Sequence, residues 1–138
     1  ELLAKRARVA DWYNQRIAEI PGLGVPYVDS TTTRMSWFVY VIRTGDGVDR
    51  NALMAYLQEN GVPSRPYFTP LHLQPFYQER FGWRRGDLPL TEKAGDTFLA
   101  LPFSGVMTEE QVDYVCQHLR IGVERAAQGE LVYTHLGR

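Results

Sequence analysis

The residues best suited to chemistry lie close together, in the segment from 65 to 77 that reads RPYFTPLHLQPFY. It contains three prolines, four aromatic residues, one histidine and one arginine. An imidazole can exchange a proton near neutral pH, and a guanidinium can bind a phosphate or carboxylate through paired hydrogen bonds. The prolines make the segment stiff, because each ring fixes one backbone angle. The segment therefore has the residues either of a ligand site or of a rigid structural connection.

Residue chemistry alone favours the structural alternative. His72 stands among apolar neighbours, where a histidine is usually buried and hydrogen-bonded rather than reactive. Arg65 follows a predicted turn, and an arginine there is usually exposed or paired with an acid. Tyr67 and the other rings of the segment are more often core or interface residues than a stacking surface. Both kinds of role stay open for these residues at this point.

The spacing of the other reactive residues indicates no further site. The histidines His72, His118 and His135 lack metal-ligand spacing, and the single cysteine, Cys116, allows neither an internal disulfide nor a Cys-rich zinc site. The glycines at 22 and 24 follow a predicted helix rather than a strand, which is not the arrangement of a phosphate-binding loop. A lone cysteine suits a reducing compartment. We therefore expect a cytoplasmic protein without a metal.

Composition limits the size and the partners. A chain of 138 residues that is 44% apolar is long enough for one domain with a core. Its formal charge of -1 predicts no nucleic acid partner. No apolar run approaches the roughly 20 residues that span a bilayer, and the N-terminus has no basic region followed by an apolar core, so we expect neither a membrane protein nor a secreted one. The chain opens within a helical pattern, without a starting methionine or a cap, so we expect it to be part of a longer protein.

The helices and strands before segment 65–77 are predicted from the spacing of apolar residues and from capping residues. A helical pattern over residues 1–20 ends at Pro21-Gly22. The run MSWFVYVIR (35–43) is apolar in both alternating sets, which predicts a strand at the centre of a sheet, covered on both faces. Asp49 is placed to cap a helix that ends at Gly61.

The elements after the segment are predicted in the same way. A short helix is expected from Gln74 to Phe81, with Pro75 in its first turn, and another over 89–96. The apolar FLALPF (98–103) predicts a strand, and a capping box at Thr108 to Gln111 opens the last helix. The apolar period weakens after residue 122. Helices interleaved with a few strands indicate a small sheet with helices against it.

The order of these pieces resembles a known domain. The stretches SWFVYVIR (36–43), DRNALMAYLQENGVPSRPYFTPLHLQPFY (49–77) and GDLPLTEKAGDTFLALPFSGVMTEEQVDYVCQHL (86–119) closely resemble the C-terminal small domain of the DegT/DnrJ/StrS family of sugar aminotransferases. These are pyridoxal-phosphate-dependent enzymes of fold type I. The likeness runs from about residue 1 to residue 121. It is most specific in the YFTPLH stretch from Tyr67 to His72 and in the Leu101-Pro102 step before the capped helix.

The resemblance implies a fold and a division of the chain. The expected fold is α+β, with a small, largely antiparallel sheet of about three strands and helices packed on one side. It would cover residues 1–121 as the small domain, followed by a C-terminal extension or tail over 122–138.

The resemblance also implies a reaction. Members of the family transfer an amino group, usually from glutamate, to the keto group of a nucleotide-linked sugar. Their pyridoxal phosphate is held by a lysine of the large N-terminal domain. Lys5 and Lys93 do not match that lysine, so we expect no catalytic residue in this chain and no activity of the fragment alone. A homodimer with its active site near the interface is expected.

Under this resemblance, segment 65–77 becomes a wall of the substrate cleft. His72 matches the family's PLH histidine, which faces the cofactor and sugar region, Arg65 could bind a nucleotide diphosphate, and Tyr67 would line the cleft. Many relatives carry a histidine where this chain has Phe38. The interpretation of this segment as half of a cleft depends on His72, since it requires that the imidazole face a surface that the rest of the protein could cover.

Two other functions stay open. The chain could be a free-standing, non-enzymatic module whose exposed aromatic surface binds another protein. It could also come from a protein that kept the fold but senses a ligand instead of transforming it.

Overall fold

Helices and strands alternate along the chain much as their apolar periods and caps predict. The protein is described by a computed structural model over residues 1–131. Within this range, no helix combines the length and the apolar character needed to cross a bilayer. The helices are α1 (Leu2–Ile17), α2 (Arg50–Glu59), α3 (Pro75–Phe81), α4 (Pro89–Thr97) and α5 (Glu109–Ala127), with a 3₁₀ turn at Leu71–Leu73. The strands are β1 (Leu23–Gly24), β2 (Tyr40–Thr44), β3 (Arg65–Pro66) and β4 (Phe98–Leu101).

The sheet has the strand order β1-β2-β4-β3, and each neighbouring pair is antiparallel. The predicted α+β class, the antiparallel sheet and the inner position of β2 are confirmed. The predicted number of about three strands is too low, because the sheet has four. The edge strands β1 and β3 have two residues each, too few to show an alternating pattern. Pro66 lies in an edge strand, where its missing N–H interrupts no central ladder.

The two faces of the sheet have different surroundings. On the inner face, Tyr40, Ile42 and Leu99 are fully buried in one apolar core with side chains of α1, α2 and α5. On the outer face, Val41 is half-buried and Arg43 is exposed. Helices therefore cover the inner face, and the outer face stays open in the part of the chain that the structure describes.

The strand predicted over 35–43 is shorter than expected. It begins at Tyr40, because Trp37 takes a φ of 48°, in the left-handed region that a bulky residue rarely adopts. Trp37 stacks on Tyr40 in the core, while Phe38 is 67% exposed. The prediction that this run is covered on both faces is wrong for the described residues, since Phe38 is exposed and Val41 is only half-buried.

Local capping signals set the beginnings of α2 and α5. The Asp49 carboxylate accepts hydrogen bonds from the backbone N–H groups of Asn51 and Ala52 at 2.8 and 3.0 Å. Thr108 and Gln111 form the predicted capping box. Such caps satisfy first-turn amides that have no partner within the helix.

Helix α5 continues beyond the predicted end of the domain. It runs to Ala127, and Gly122 and Val123 are buried against the core. The predicted division at residue 121 therefore falls inside this helix. The last part of the predicted extension, residues 132–138, lies outside the described residues.

Gly122→Ala is expected to lower the free energy of unfolding by about 1 kcal/mol or more, because the added methyl overpacks the contact between α5 and α2. A Cβ at this position would lie 2.5 Å from Leu53 Cδ1 and 2.9 Å from Tyr56 Cδ1. Urea unfolding followed by circular dichroism measures the loss. In a Leu53→Ala background the same change should cost less, since the closest atom is gone and alanine favours the helix by about 1 kcal/mol. An equal loss in both backgrounds would contradict the steric cause.

Candidate functional site

Strand β3 places the start of segment 65–77 on the sheet. Arg65 pairs with Ala100 of β4, which in turn pairs with Val41 of β2. Residues directly opposite each other in neighbouring strands share one face of the sheet. Arg65 therefore belongs to the open outer face, and Tyr67, two residues further along, returns to the same face.

Two grooves meet at this face. The outer-face groove has a cavity volume of about 510 Å³ and includes Val41, Phe38 and Arg43 in its lining. The wall groove, of about 460 Å³, lies between segment 67–74 and helix α4 and is almost entirely apolar. Tyr67 and Phe98 line both grooves, so together they form the boundary between them.

Two arginines lie on the open face. Arg65 is exposed at the edge strand, next to the grooves rather than in their lining. Arg43 lines the outer-face groove, and its guanidinium Nε would lie 3.5 Å from a Cβ added to Gly24 of β1. No local sequence pattern identifies Arg43, because its position opposite β1 depends on strand pairing. Positive charge beside an apolar groove suits an anionic ligand that also carries apolar surface.

Helix α4 contacts the wall directly at Pro70, beside the groove. Pro70 is buried, and a Cβ added to Gly95 of α4 would lie 2.6 Å from its Cδ atom. Only a glycine permits this close approach of the helix to the proline ring. The wall is therefore fixed both by its own prolines and by contact with α4.

The structure places His72 inside the domain rather than in either groove. The side chain is 5% exposed, and its Nε2 atom lies 2.9 Å from Oε1 of Glu92. Its Nδ1 atom is buried and has no hydrogen-bond partner among the described residues. The requirement that the imidazole face a surface which the rest of the protein could cover is thus not met in this domain. The geometry gives no support to direct substrate contact by His72, whereas Arg65 and Tyr67 stay predicted contacts.

Glu92, which the sequence reading did not select, is the acid that binds His72. The side chain is 5% exposed, and both carboxylate oxygens accept a hydrogen bond from the Gly86 N–H, at 2.8 and 2.9 Å. The Leu88 N–H adds a third contact at 3.3 Å. The hydrogen bond from His72, followed by those from the two amides, lowers the pKa of Glu92. In sequence, Glu92 resembles an ordinary acid in the first turn of a helix, and nothing local reveals its burial.

The remaining reactive side chains lie outside the lining of the two grooves. Lys5 pairs with Glu1 at 2.7 Å, Lys93 lies 4.0 Å from Asp46, and neither residue lines either groove. Burial raises the pKa of Cys116 to about 12, which leaves its thiol protonated. Among residues 1–131, no three metal-binding side chains cluster, and His135 lies outside that range.

The family of the chain follows from a match to known sequences. The model of the DegT/DnrJ/EryC1/StrS aminotransferase family matches residues 1–120. The GDP-perosamine synthase of Caulobacter vibrioides is 34% identical over 83% of this chain and 31% of its own length. The spore coat polysaccharide biosynthesis protein SpsC of Bacillus subtilis is 29% identical over 87% of this chain and 32% of its own length. The chain thus spans about a third of the curated relatives it matches.

A solved structure shares the fold. The putative sugar aminotransferase Spr1654 from Streptococcus pneumoniae, in its PLP-form, superposes with a TM-score of 0.82. The match covers 91% of this chain and 32% of that chain, at 23% identity. At this identity the likeness establishes the fold, including the sheet whose outer face carries the grooves.

Proposed function

We propose, since this chain belongs to the DegT/DnrJ/EryC1/StrS aminotransferase family, that it is the C-terminal domain of an aminotransferase acting on a nucleotide-linked sugar. The amino group would come from an amino acid, with glutamate the expected donor, and would go to the keto group of the sugar. Pyridoxal phosphate would be held mainly by a large N-terminal domain, because neither Lys5 nor Lys93 lines the grooves. The fragment alone would be inactive.

The observation that carries this proposal is the open outer face of the sheet. A face lined by Val41, Phe98 and Tyr67 exposes apolar surface that a free-standing domain would normally cover. Within the proposed enzyme, the large domain would close this face and leave a cleft between the two. Arg65 would then bind the diphosphate of the nucleotide, and Tyr67 would line the cleft beside the sugar. A homodimer with the active site near its interface completes the proposal.

In this proposal the contribution of the chain is binding and the exclusion of water. Arg65 would orient the anionic part of the substrate, away from the reacting carbonyl. The rings of Tyr67 and Phe98 would exclude water on the side of the sugar. His72 enters through its effect on the position of the wall rather than through contact with substrate, because its imidazole is enclosed.

The test is amino transfer by the full-length protein. With glutamate and a series of nucleotide-linked keto sugars, mass spectrometry should detect an aminated sugar, and a Schiff-base absorbance band should be present. The 138-residue chain alone, as the control, should give neither. A full-length protein that binds nucleotide-linked sugars without amino transfer would instead be a sensor. A protein that begins just before Glu1 and binds neither pyridoxal phosphate nor a nucleotide-linked sugar would favour the protein-binding module. The exposed rings of such a module include Phe68, which is 72% exposed.

A further inference from the structure

We propose that Glu92 is a positioning residue for the substrate cleft, because its carboxylate fastens the wall at His72 and the loop at residues 82–88 to helix α4. The role in a cleft rests on the proposed function, but the fastening itself does not. Glu92 touches neither groove, so it would act through the segments that it holds.

Three parts of the chain meet at this carboxylate. Helix α4 carries Glu92, the 3₁₀ turn of the wall carries His72, and the loop after α3 contributes the amides of Gly86 and Leu88. The loop has no regular structure through residue 88, so these hydrogen bonds are its principal polar link to α4 in the described chain. One side chain thus determines how two segments lie against the same helix.

The burial of the carboxylate makes its partners necessary. An ionised acid removed from water is costly unless hydrogen bonds replace its hydration. Both oxygens of Glu92 have such partners, and the exposed fraction of the residue is 5%. A second ion pair, between Arg85 and Asp96, also links the loop to α4, but both of its side chains are more than half exposed. Exposed pairs of this kind contribute little, so Glu92 carries most of the fastening.

The same contact determines which nitrogen of His72 carries a proton. An ionised carboxylate only accepts hydrogen bonds, so the imidazole must donate from Nε2. Nδ1 is then the unpaired atom. A carboxylate that orients a histidine in this way is a common means of fixing both the tautomer and the ring position.

The position of His72 is transmitted to the groove through a short, stiff stretch. Pro70 lies two residues before His72 and packs against Gly95 of α4. Tyr67, which lines both grooves, lies three residues before Pro70. Release of His72 would remove the hydrogen bond to Glu92 and leave the contacts of Pro70 and the Phe68 carbonyl with Gly95 of α4. Tyr67 would then shift relative to Phe98 across the boundary of the two grooves.

The fastening should weaken in acid. The titratable and charged groups that face Glu92 are the imidazole of His72 from the wall and the guanidinium of Arg85 from the loop, and Arg85 also pairs with Asp96. The pKa of Glu92 is lowered by its hydrogen bonds in the folded state. Its stabilising effect is therefore complete above the ordinary pKa of a carboxyl group and is lost as the pH falls through the lowered value.

The experiment compares Glu92→Ala and Glu92→Gln with Asp96→Asn in the full-length protein. Glutamine keeps the shape of the side chain but places a donor NH₂ group where one oxygen accepts a hydrogen bond. Asp96→Asn is the matched control on the same helix, because it removes only the exposed pair. Amide hydrogen exchange over residues 82–88 should accelerate by about 10- to 100-fold in Glu92→Ala and less in Glu92→Gln. Strands β2 and β4 should keep their protection, and the control should leave both regions unchanged.

Two further measurements separate positioning from a merely structural role. Nitrogen-15 NMR of labelled histidine should show the Nε2-protonated tautomer of His72 in the parent and a mixture in Glu92→Gln. The value of kcat/KM for the nucleotide-linked sugar should fall in both Glu92 variants. In the double variant, which combines Glu92→Ala with His72→Ala, kcat/KM should be no lower than in either single variant.

If amide hydrogen exchange over residues 82–88 is unchanged in Glu92→Ala, Glu92 does not fasten the loop to α4. Accelerated exchange with unchanged kcat/KM would overturn the positioning role. If the parent protein transfers no amino group, the proposed function fails, while the exchange and tautomer measurements still decide whether Glu92 holds the two segments.

Discussion

Arg65→Ala in the full-length protein is expected to lower kcat/KM for the nucleotide-linked sugar by about 10- to 100-fold. Arg65 lies on the open face of an edge strand, and it has no acidic partner within 4.0 Å among residues 1–131. A guanidinium placed in this way can give both of its parallel N–H groups to a diphosphate. Steady-state kinetics with saturating amino-acid donor measures the loss.

The loss should appear mainly in KM. A diphosphate is bound in the same way in the ground state and in the transition state, because it is remote from the carbonyl that reacts. Arg65→Lys should recover part of the affinity through charge but not the paired geometry. The matched control is Arg84→Ala, since Arg84 is equally exposed but belongs to the loop and lines neither groove. If Arg84→Ala raises KM as much as Arg65→Ala, the effect is one of net charge and not of a site.

The parts of the fold that depend on local signals were predictable from the sequence. Asp49 begins α2 and the capping box at Thr108 begins α5 because each side chain satisfies amides only two or three residues away. Gly61 ends α2 with a φ of 72°, and the neighbouring Val62 N–H donates to the carbonyl of Leu57. Such interactions lie within one turn of chain, so the residue pattern contains all of the information needed.

Parts that depend on contacts distant in sequence were not predictable. The edge strand β3 is two residues long, and only its pairing with β4 makes it a strand. The left-handed turn at Trp37 exists because the indole packs on Tyr40, a contact that overrides the backbone preference of tryptophan. Each of these features depends on a partner that no local pattern identifies.

The features of the candidate site also differ in whether the sequence could predict them. The stiffness of segment 65–77 could be predicted from its prolines, whereas its place beside a cleft was implied only by the family resemblance. The enclosed position of His72 could not be predicted, because it depends on Glu92, which lies 20 residues further along the chain. The family resemblance implied the opposite, an imidazole that faces the cofactor and sugar region, whereas the structure encloses the side chain. Burial of a histidine therefore has to be read from the structure before a role is assigned.

Strand β4 offers a direct test of the division of the sheet into a structural face and a binding face. Leu99 is fully buried on the inner face, whereas its neighbour Phe98 is half-buried and lines both grooves. Leu99→Ala is expected to lower the free energy of unfolding by about 2 to 5 kcal/mol, because it removes apolar contacts and leaves a cavity in the core. Urea unfolding of parent and variant measures this loss.

Phe98→Ala is the matched variant, one residue away on the same strand and with a larger side chain removed. Because Phe98 is already partly in contact with solvent, its loss of stability should be smaller than that of Leu99→Ala. Its effect on the full-length protein should instead be a fall of about tenfold in kcat/KM for the sugar substrate, as the boundary between the grooves is removed. Leu99→Ala, assayed well below its unfolding temperature, should keep most of that activity. If the ratio of lost stability to lost kcat/KM is the same in both variants, the outer face is only a continuation of the core and not a binding surface. A binding surface requires that Phe98→Ala lose mainly activity and Leu99→Ala mainly stability.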